Sequence, residues 1–168
     1  RASDRGTAYH RALELIHFAE ISGYDDIVKE LDRIREEKRM QETAIDMVYP
    51  GVLTKFFHSD IAARMKQADR NGKLRKESQF VVGIPAREMN KADSDALILL
   101  QGIIDAFFEE DGKLVLVDYK TDYVENSDIL IRRYEAQVRY YTRALEQMTG
   151  KRVAERYLYS FRFGAIEV

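Results

Sequence analysis

The stretch Leu97-Ile-Leu-Leu-Gln-Gly-Ile-Ile-Asp105-Ala-Phe-Phe-Glu-Glu-Asp111-Gly112-Lys-Leu-Val-Leu-Val-Asp118-Tyr-Lys120 decides the reading of this chain. Leu97 to Phe108 is apolar and rich in branched side chains, and Leu114 to Val117 is a second apolar run. Between them stands Asp111-Gly112, a dipeptide that readily adopts the positive φ angles of a two-residue hairpin turn. Both faces of the two strands are apolar, so the hairpin is predicted to sit mid-sheet, covered on both sides. A two-residue loop pairs Glu110 with Lys113, and counting back along the ladder places Asp105 opposite Asp118. Directly opposed residues share a face, with Cβ atoms ~4.5–5.5 Å apart. Two like charges so placed in an apolar hairpin need compensation, either from a divalent cation, which prefers carboxylate oxygens, or from a shared proton. Lys120 lies two residues beyond Asp118 and therefore shares its side. Two carboxylates and an ammonium at the end of a hairpin suit phosphodiester hydrolysis, with the lysine positioning water or stabilising phosphate charge. The bland alternative is a surface Asp118–Lys120 pair with Asp105 beside it by accident. A longer loop would shift the register.

Outward from the hairpin, the rest reads as helices, then strands, then a long helix and a strand. Thr7 is predicted to cap a first helix carrying Leu13 and Ile16. A second helix is expected from Asp25 to about Glu42. Val52 to Asp69 reads as one or two helices, with Ser59 as a start and Asn71-Gly72 as a stop. Lys73 to Ile84 alternates like a strand closed by Pro85. Ser127 should cap a helix reaching Met148 and ended by Gly150, and Val153 to Phe163 resembles a further strand. The expected fold is α/β, a mixed central sheet flanked by helices.

With 168 residues, 45% hydrophobic and 33% charged, the chain is sized for one domain with its own core. No apolar run approaches a membrane span, and the opening Arg1-Ala2-Ser3-Asp4 is no signal peptide. We read the chain, residues 1–168, as a single domain cut from a longer protein. Cysteine is absent, which excludes disulfides, thiolate zinc sites and cysteine-ligated clusters within it and is compatible with a reducing cytoplasm. The net charge of −2 means that any nucleic-acid contact must come from a local patch.

Other residues are candidates for the same site. His10, on the side of the first helix that carries Leu13, is a competent metal ligand or a histidine hydrogen-bonded at the core edge. His17 and His58 lack such context and read as surface residues. Tyr134, Gln137 and Tyr141 share a stripe of the long helix. Tyr134 reads as core packing, whereas Gln137 needs polar partners if buried. Arg132, Arg139 and Arg143 on an adjoining line form a candidate backbone-binding patch or a solvated face. Glu77, in Lys76-Glu77-Ser78-Gln79-Phe80, is either a further carboxylate or an exposed strand residue.

Gly102-Ile103-Ile104-Asp105, Val117-Asp118-Tyr119-Lys120-Thr121-Asp122, and Gln137 with Tyr141 together resemble the RecB-family nucleases of the PD-(D/E)XK superfamily. The likeness is greatest to the C-terminal nuclease of the AddA-type ATP-dependent helicase/nucleases. Gly6-Thr7-Ala8-Tyr9-His10 is similar to that family's histidine motif, and Lys76 to Phe80 to its glutamate-bearing strand. The similarity runs from about His10 to Phe161. It implies a restriction-endonuclease-like fold and Mg2+ or Mn2+ held by Asp105, Asp118 and His10, with the Tyr119 carbonyl a candidate ligand. It also implies Lys120 as the catalytic lysine, and Glu77, Gln137 and Tyr141 as supporting or DNA-touching residues. The parent implied is a bacterial cytoplasmic protein that processes double-strand ends for recombinational repair. Its partners would be single-stranded DNA unwound by a helicase portion of the same polypeptide, and a second nuclease subunit of the AddB type. The AddB type typically carries a cysteine-ligated cluster, so the missing cysteines favour the AddA type. A phage or Cas4-like nuclease and a catalytically silent DNA-binding or docking module are the alternatives. The first motif lacks a proline before Asp105, and Asp118 stands where many members have glutamate. No G-x-x-x-x-G-K-[ST] loop is present, so ATP hydrolysis lies outside this segment.

Overall fold

The protein is described by a computed structural model covering residues 2–89 and 93–168. Five helices come first: α1 (Ala2–Leu15), α2 (Tyr24–Glu36), α3 (Glu42–Ile45), α4 (Pro50–Phe57) and α5 (Asp60–Arg70). Three strands follow, β1 (Leu74–Pro85), β2 (Leu97–Glu110) and β3 (Lys113–Lys120), then α6 (Ser127–Thr149), β4 (Val153–Ser160) and β5 (Gly164–Glu167). The strands form one sheet in the order β1-β2-β3-β4-β5. Every pairing is antiparallel except β3 with β4, which α6 connects as a parallel crossover. This is the mixed, helix-flanked α/β sheet expected from the sequence. No helix among the described residues is long and apolar enough to cross a membrane.

The hairpin register is as predicted: Glu110 pairs with Lys113 and Ala106 with Val117. Asp111 and Gly112 carry φ of 50° and 75°, the left-handed values that such a tight turn requires. β3 is buried on both faces because its side chains alternate between two cores. Val115, Val117 and Tyr119 join the core beneath α1, α2, α4 and α5, while Leu114 and Leu116 join the core beneath α6. In the first core Phe18, Phe56, Phe57, Tyr119 and Tyr159 meet edge to face, with ring centroids 4.8–5.9 Å apart. Such pairs contribute about 0.5–1.5 kcal/mol each beyond burial.

β1 and β2 do something the alternation does not foretell. Leu74, Ala106 and Phe108 face the first core, but Phe80, Val82, Ile84 and Ile104, of the same parity, face the second. The two strands thus change sides near Glu77 and Asp105. The ladder pairs Lys76 with Ala106 and resumes at Ser78 with Ile104, and Glu77 between them has φ of 49°. Beyond this point the hairpin is covered on one side only. Val81, Leu97 and Leu99 are 64%, 71% and 67% exposed, which corrects the expectation of a hairpin covered throughout.

Several boundaries also differ. α1 starts before Thr7, whose hydroxyl donates to the Ser3 carbonyl one turn back instead of capping. The expected helix to Glu42 stops at Glu36, because Lys38 turns left-handed at φ 54° and α3 begins afresh. Val52 to Asp69 resolves into two helices, with Ser59 accepting from the Ala62 amide as the cap of α5. Asn126 rather than Ser127 caps α6, and left-handed Gly150 ends it. The strand expected from Val153 to Phe163 ends at Ser160 as β4, and after a turn at 161–163 an unforeseen β5 pairs back on it.

Candidate active site

The site begins with a row of carboxylates across the sheet: Glu77 on β1, Asp105 on β2 and Asp118 on β3. Asp118 is 4% exposed. Its Oδ2 lies 3.1 Å from Lys120 Nζ, as an ion pair, yet among the described residues that buried oxygen has no hydrogen-bond partner. Asp105 is better served. Its Oδ2 accepts from the Tyr119 amide at 2.8 Å and lies 3.1 Å from His10 Nε2.

His10 reaches the row from α1, one face of the sheet. Its Nδ1 lies 2.9 Å from the Gly6 carbonyl and donates to it. That bond orients the ring and leaves Nε2 as the atom aimed at the carboxylates, the arrangement in which a histidine ligates metal. Lys120 lies on the other face, toward α6. Its Nζ donates to Gln137 Oε1 at 3.0 Å and sits 3.8 Å over the ring of Tyr134. Gln137 Nε2 in turn donates to the Tyr141 hydroxyl at 3.1 Å. Gln137 has therefore found the partners a half-buried amide requires. Tyr134, expected as plain core, packs against that core but also faces the lysine and donates to Asp122 Oδ2 at 2.8 Å.

The charges respond to this crowding. Burial pushes the Asp118 carboxyl up to about 7, Asp105 pushes it further the same way, and Lys120 offsets part of the rise. Glu77 is likewise raised to about 7 by burial and by Asp105. Burial pulls His10 down, but the hydrogen bond and charge of Asp105 more than reverse this, to about 9. Asp105 ends below its ordinary value: burial raises it, and His10 with the Tyr119 amide outweighs that. Two of the three carboxyls thus resist ionisation, because fully charged the row would outnumber the cations of His10 and Lys120 beside it.

An ion would settle this imbalance, and the donor set fits one. Two carboxylates, an oriented imidazole and a buried carboxylate oxygen without a hydrogen bond suit a hard divalent cation. Tyr119 commits its amide to Asp105 and buries its ring in the first core, with a hydroxyl that finds no hydrogen-bond partner among the described residues.

The remaining candidates divide. Gln137 and Tyr141 join the lysine, and Glu77 joins the row. Arg132, Arg139 and Arg143 are exposed and share no described contact with the acidic residues of the row. Arg143 is paired with Glu88, and Arg139 lines a small pocket beside it. His58 is exposed, as expected. His17 is exposed too, but its Nδ1 lies 3.1 Å from buried Glu30 and 3.7 Å from Glu20. Sequence spacing could not reveal this cluster, since Glu30 comes from a different helix. Arg33 already neutralises Glu30 at 2.6 Å, so it is an ion-pair network rather than part of the site.

Known proteins resemble the chain along its whole length. It is 34% identical, over 98% of its residues, to the A subunit of an ATP-dependent helicase/nuclease of Lachnoclostridium phytofermentans, of which it covers 14%. The protein of the same name in Clostridium botulinum is 36% identical over 95% of the chain, 13% of that relative. Its namesake in Clostridium novyi is 33% identical over the full chain, 14% of that relative. The chain thus spans about one-seventh of these relatives. The family model described as the PD-(D/E)XK nuclease superfamily matches residues 1–166. With its mixed sheet and acidic hairpin, the chain belongs to the PD-(D/E)XK nuclease superfamily.

Proposed function

We propose that this chain is a divalent-metal-dependent deoxyribonuclease that hydrolyses phosphodiester bonds in single strands. The observation that carries the proposal is Asp118. It is a buried carboxylate beside a second one, with an oxygen that has no hydrogen-bond partner among the described residues and a lysine 3.1 Å away. As a merely structural feature this would be a cost without return. Asp105, Asp118 and His10 would hold Mg2+ or Mn2+, with the Tyr119 carbonyl as a further ligand and Glu77 within the same field. When bound, the ion supplies a water of lowered pKa and polarises a phosphoryl oxygen.

The chain's own residues do the rest. Lys120, fixed by Gln137 and the Tyr134 ring, presents its ammonium where phosphate charge develops. Tyr141 fixes Gln137. Arg132, Arg139 and Arg143 are candidates for backbone contacts outside the site. The relatives, named as helicase/nucleases, support a parent in which a helicase portion of the same polypeptide delivers the strand. An exonuclease role in double-strand-end processing, with a second nuclease subunit of the AddB type in the bacterial cytoplasm, completes this reading.

Cleavage of end-labelled single-stranded DNA in Mg2+ or Mn2+, beside Asp118→Ala and Lys120→Ala, tests it. Metal-dependent cutting lost in both variants is expected. Wild-type protein that neither cuts nor binds either metal would overturn the proposal in favour of a DNA-binding or docking module.

A further inference from the structure

A groove of about 640 Å³ adjoins the catalytic row, lined in part by Arg5, Tyr9, Thr121, Tyr123 and Arg162. It is continuous with the site through the backbone. Thr121 follows Lys120, and the Lys120 carbonyl accepts from the Phe161 amide at 3.1 Å. Arg5, which also lines it, precedes Gly6, whose carbonyl orients His10. The groove is thus built from the same two segments that carry the lysine and the histidine.

Its walls carry two arginine–aromatic stacks. Arg162 lies 4.2 Å over the ring of Tyr123 and 5.2 Å from that of Phe163. Arg5 lies 5.5 Å from the Tyr9 ring and 5.6 Å from that of Tyr49. Both arginines are exposed, and among the described residues neither pairs with a carboxylate. Tyr123 is 89% exposed and Tyr49 57%, so each presents ring surface to water beside an unneutralised cation. Among the described residues one acid lines this groove, Asp122, and its carboxylate is already engaged by Arg133 and Tyr134.

We infer that this groove binds the unpaired strand that enters the site, with Tyr123 stacking on a base and Arg5 and Arg162 contacting successive phosphates. The inference rests on the nuclease reading above and extends it to residues outside the acidic row. Every base offers a stacking face once unpaired, whereas a duplex buries those faces; exposed rings between cations therefore fit a single strand. The charge complements the ligand: two free guanidiniums meet a polyanion next to a row of carboxylates that would otherwise repel it.

Binding is measured in EDTA, so that no strand is cut, with fluorescein-labelled oligothymidylate and a duplex of the same length across a salt series. Tyr123→Ala should weaken single-strand binding roughly tenfold without changing the salt dependence, and Tyr123→Trp should retain it. Arg5→Ala and Arg162→Ala should each lower the slope of log affinity against log salt by about 0.7. Single-strand affinities and salt slopes that match wild type in all three alanine variants would overturn the inference, as would equal losses for the duplex. Metal-dependent hydrolysis of bis(p-nitrophenyl) phosphate, too small to span the groove, separates the two proposals. Its retention in the variants is expected. Its absence from the wild type counts against the nuclease reading, while binding in EDTA still decides the groove.

Discussion

Asp118→Asn should stabilise the metal-free protein, and the gain should grow with pH. The Asp118 carboxyl titrates near 7 in the fold and at 3.8 when unperturbed, because burial and Asp105 both oppose its charge. A carboxyl raised in this way costs nothing below its unfolded pKa. Between the two values the unfolded chain ionises while the native state keeps its proton, so stability falls with pH; above the folded value the loss is complete. Each unit of separation is worth about 1.4 kcal/mol. Moving from about pH 5 to about pH 8 crosses roughly two of those units, so the stability gap between variant and wild type should widen by about 2–3 kcal/mol. The ion pair with Lys120 forms only once Asp118 ionises, and its attraction is already contained in a carboxyl raised no further than about 7, so it adds no separate contribution. Glu77, raised in the same sense, and His10, whose stabilising charge is lost as pH rises toward 9, titrate in both proteins. The assay is urea unfolding in EDTA at the two pH values. Parallel stability profiles for the two proteins would refute the account of a charge held against its preference.

Glu77→Gly should stabilise the metal-free fold by about 1 kcal/mol in urea unfolding, since Glu77 holds φ of 49°, which side chains disfavour; unchanged or lower stability would remove strain from the picture. Gly6→Ala tests the seam between α1 and the end of β3. A Cβ there would lie 2.7 Å from Thr121 Oγ1. The substitution should therefore destabilise wild type, but in Thr121→Ala it should stabilise by up to about 1 kcal/mol through helix propensity. Additive effects in thermal melts would show that the contact is relaxed. Arg64 bridges Glu110 on β2 and Glu155 on β4, with contacts of 2.6 Å to each. Arg64→Ala should cost about 1–2 kcal/mol after screening at this partly exposed position, and Arg64→Lys should recover less than half, lacking the fork; full recovery by lysine in the same melts would make this a simple charge effect.

The parts of the fold that were legible are those in which local chemistry leaves little choice. Asp111-Gly112 admits a tight turn, the turn fixes the register, and the register sets Asp105 beside Asp118. Ser59 and Gly150 mark helix ends for equally local reasons. What was illegible depends on distant residues. The left-handed Lys38 sits in a charged run with no glycine to announce it. Nothing around Glu77 foretells that β1 and β2 change sides there, because the buried apolar residues keep the same parity before and after it while the core on that parity changes. Tyr134 shares a stripe with core residues, and only the fold brings it over Lys120. Arg5, Tyr49, Tyr123 and Arg162 come from four separate segments, so no spacing rule gathers them.

That change of side explains where the site lies. Glu77 and Asp105 stand where β1 and β2 cross from the core beneath α1 to the core beneath α6, so the row between them is open to both helical layers. His10 enters from the first layer, and Lys120 meets Gln137 from the second. A carboxylate row in the middle of either core would be sealed against substrate and held at higher cost. At the crossing it is buried enough to raise Asp118 and Glu77, yet within reach of side chains from both faces. The site is therefore complete only when α1 and α6 are both docked on the sheet. A ligand that binds this assembled row and not the unfolded chain must stabilise the whole fold, by about 2.7 kcal/mol at a hundredfold excess over its dissociation constant. Metal binding and the docking of the two layers should accordingly be linked, so that Gly6→Ala, which disturbs α1 against Thr121, weakens metal affinity in a calorimetric titration with Mn2+ although Gly6 supplies no side-chain ligand. Wild-type affinity in that variant would mean that the row assembles without α1 seated in full.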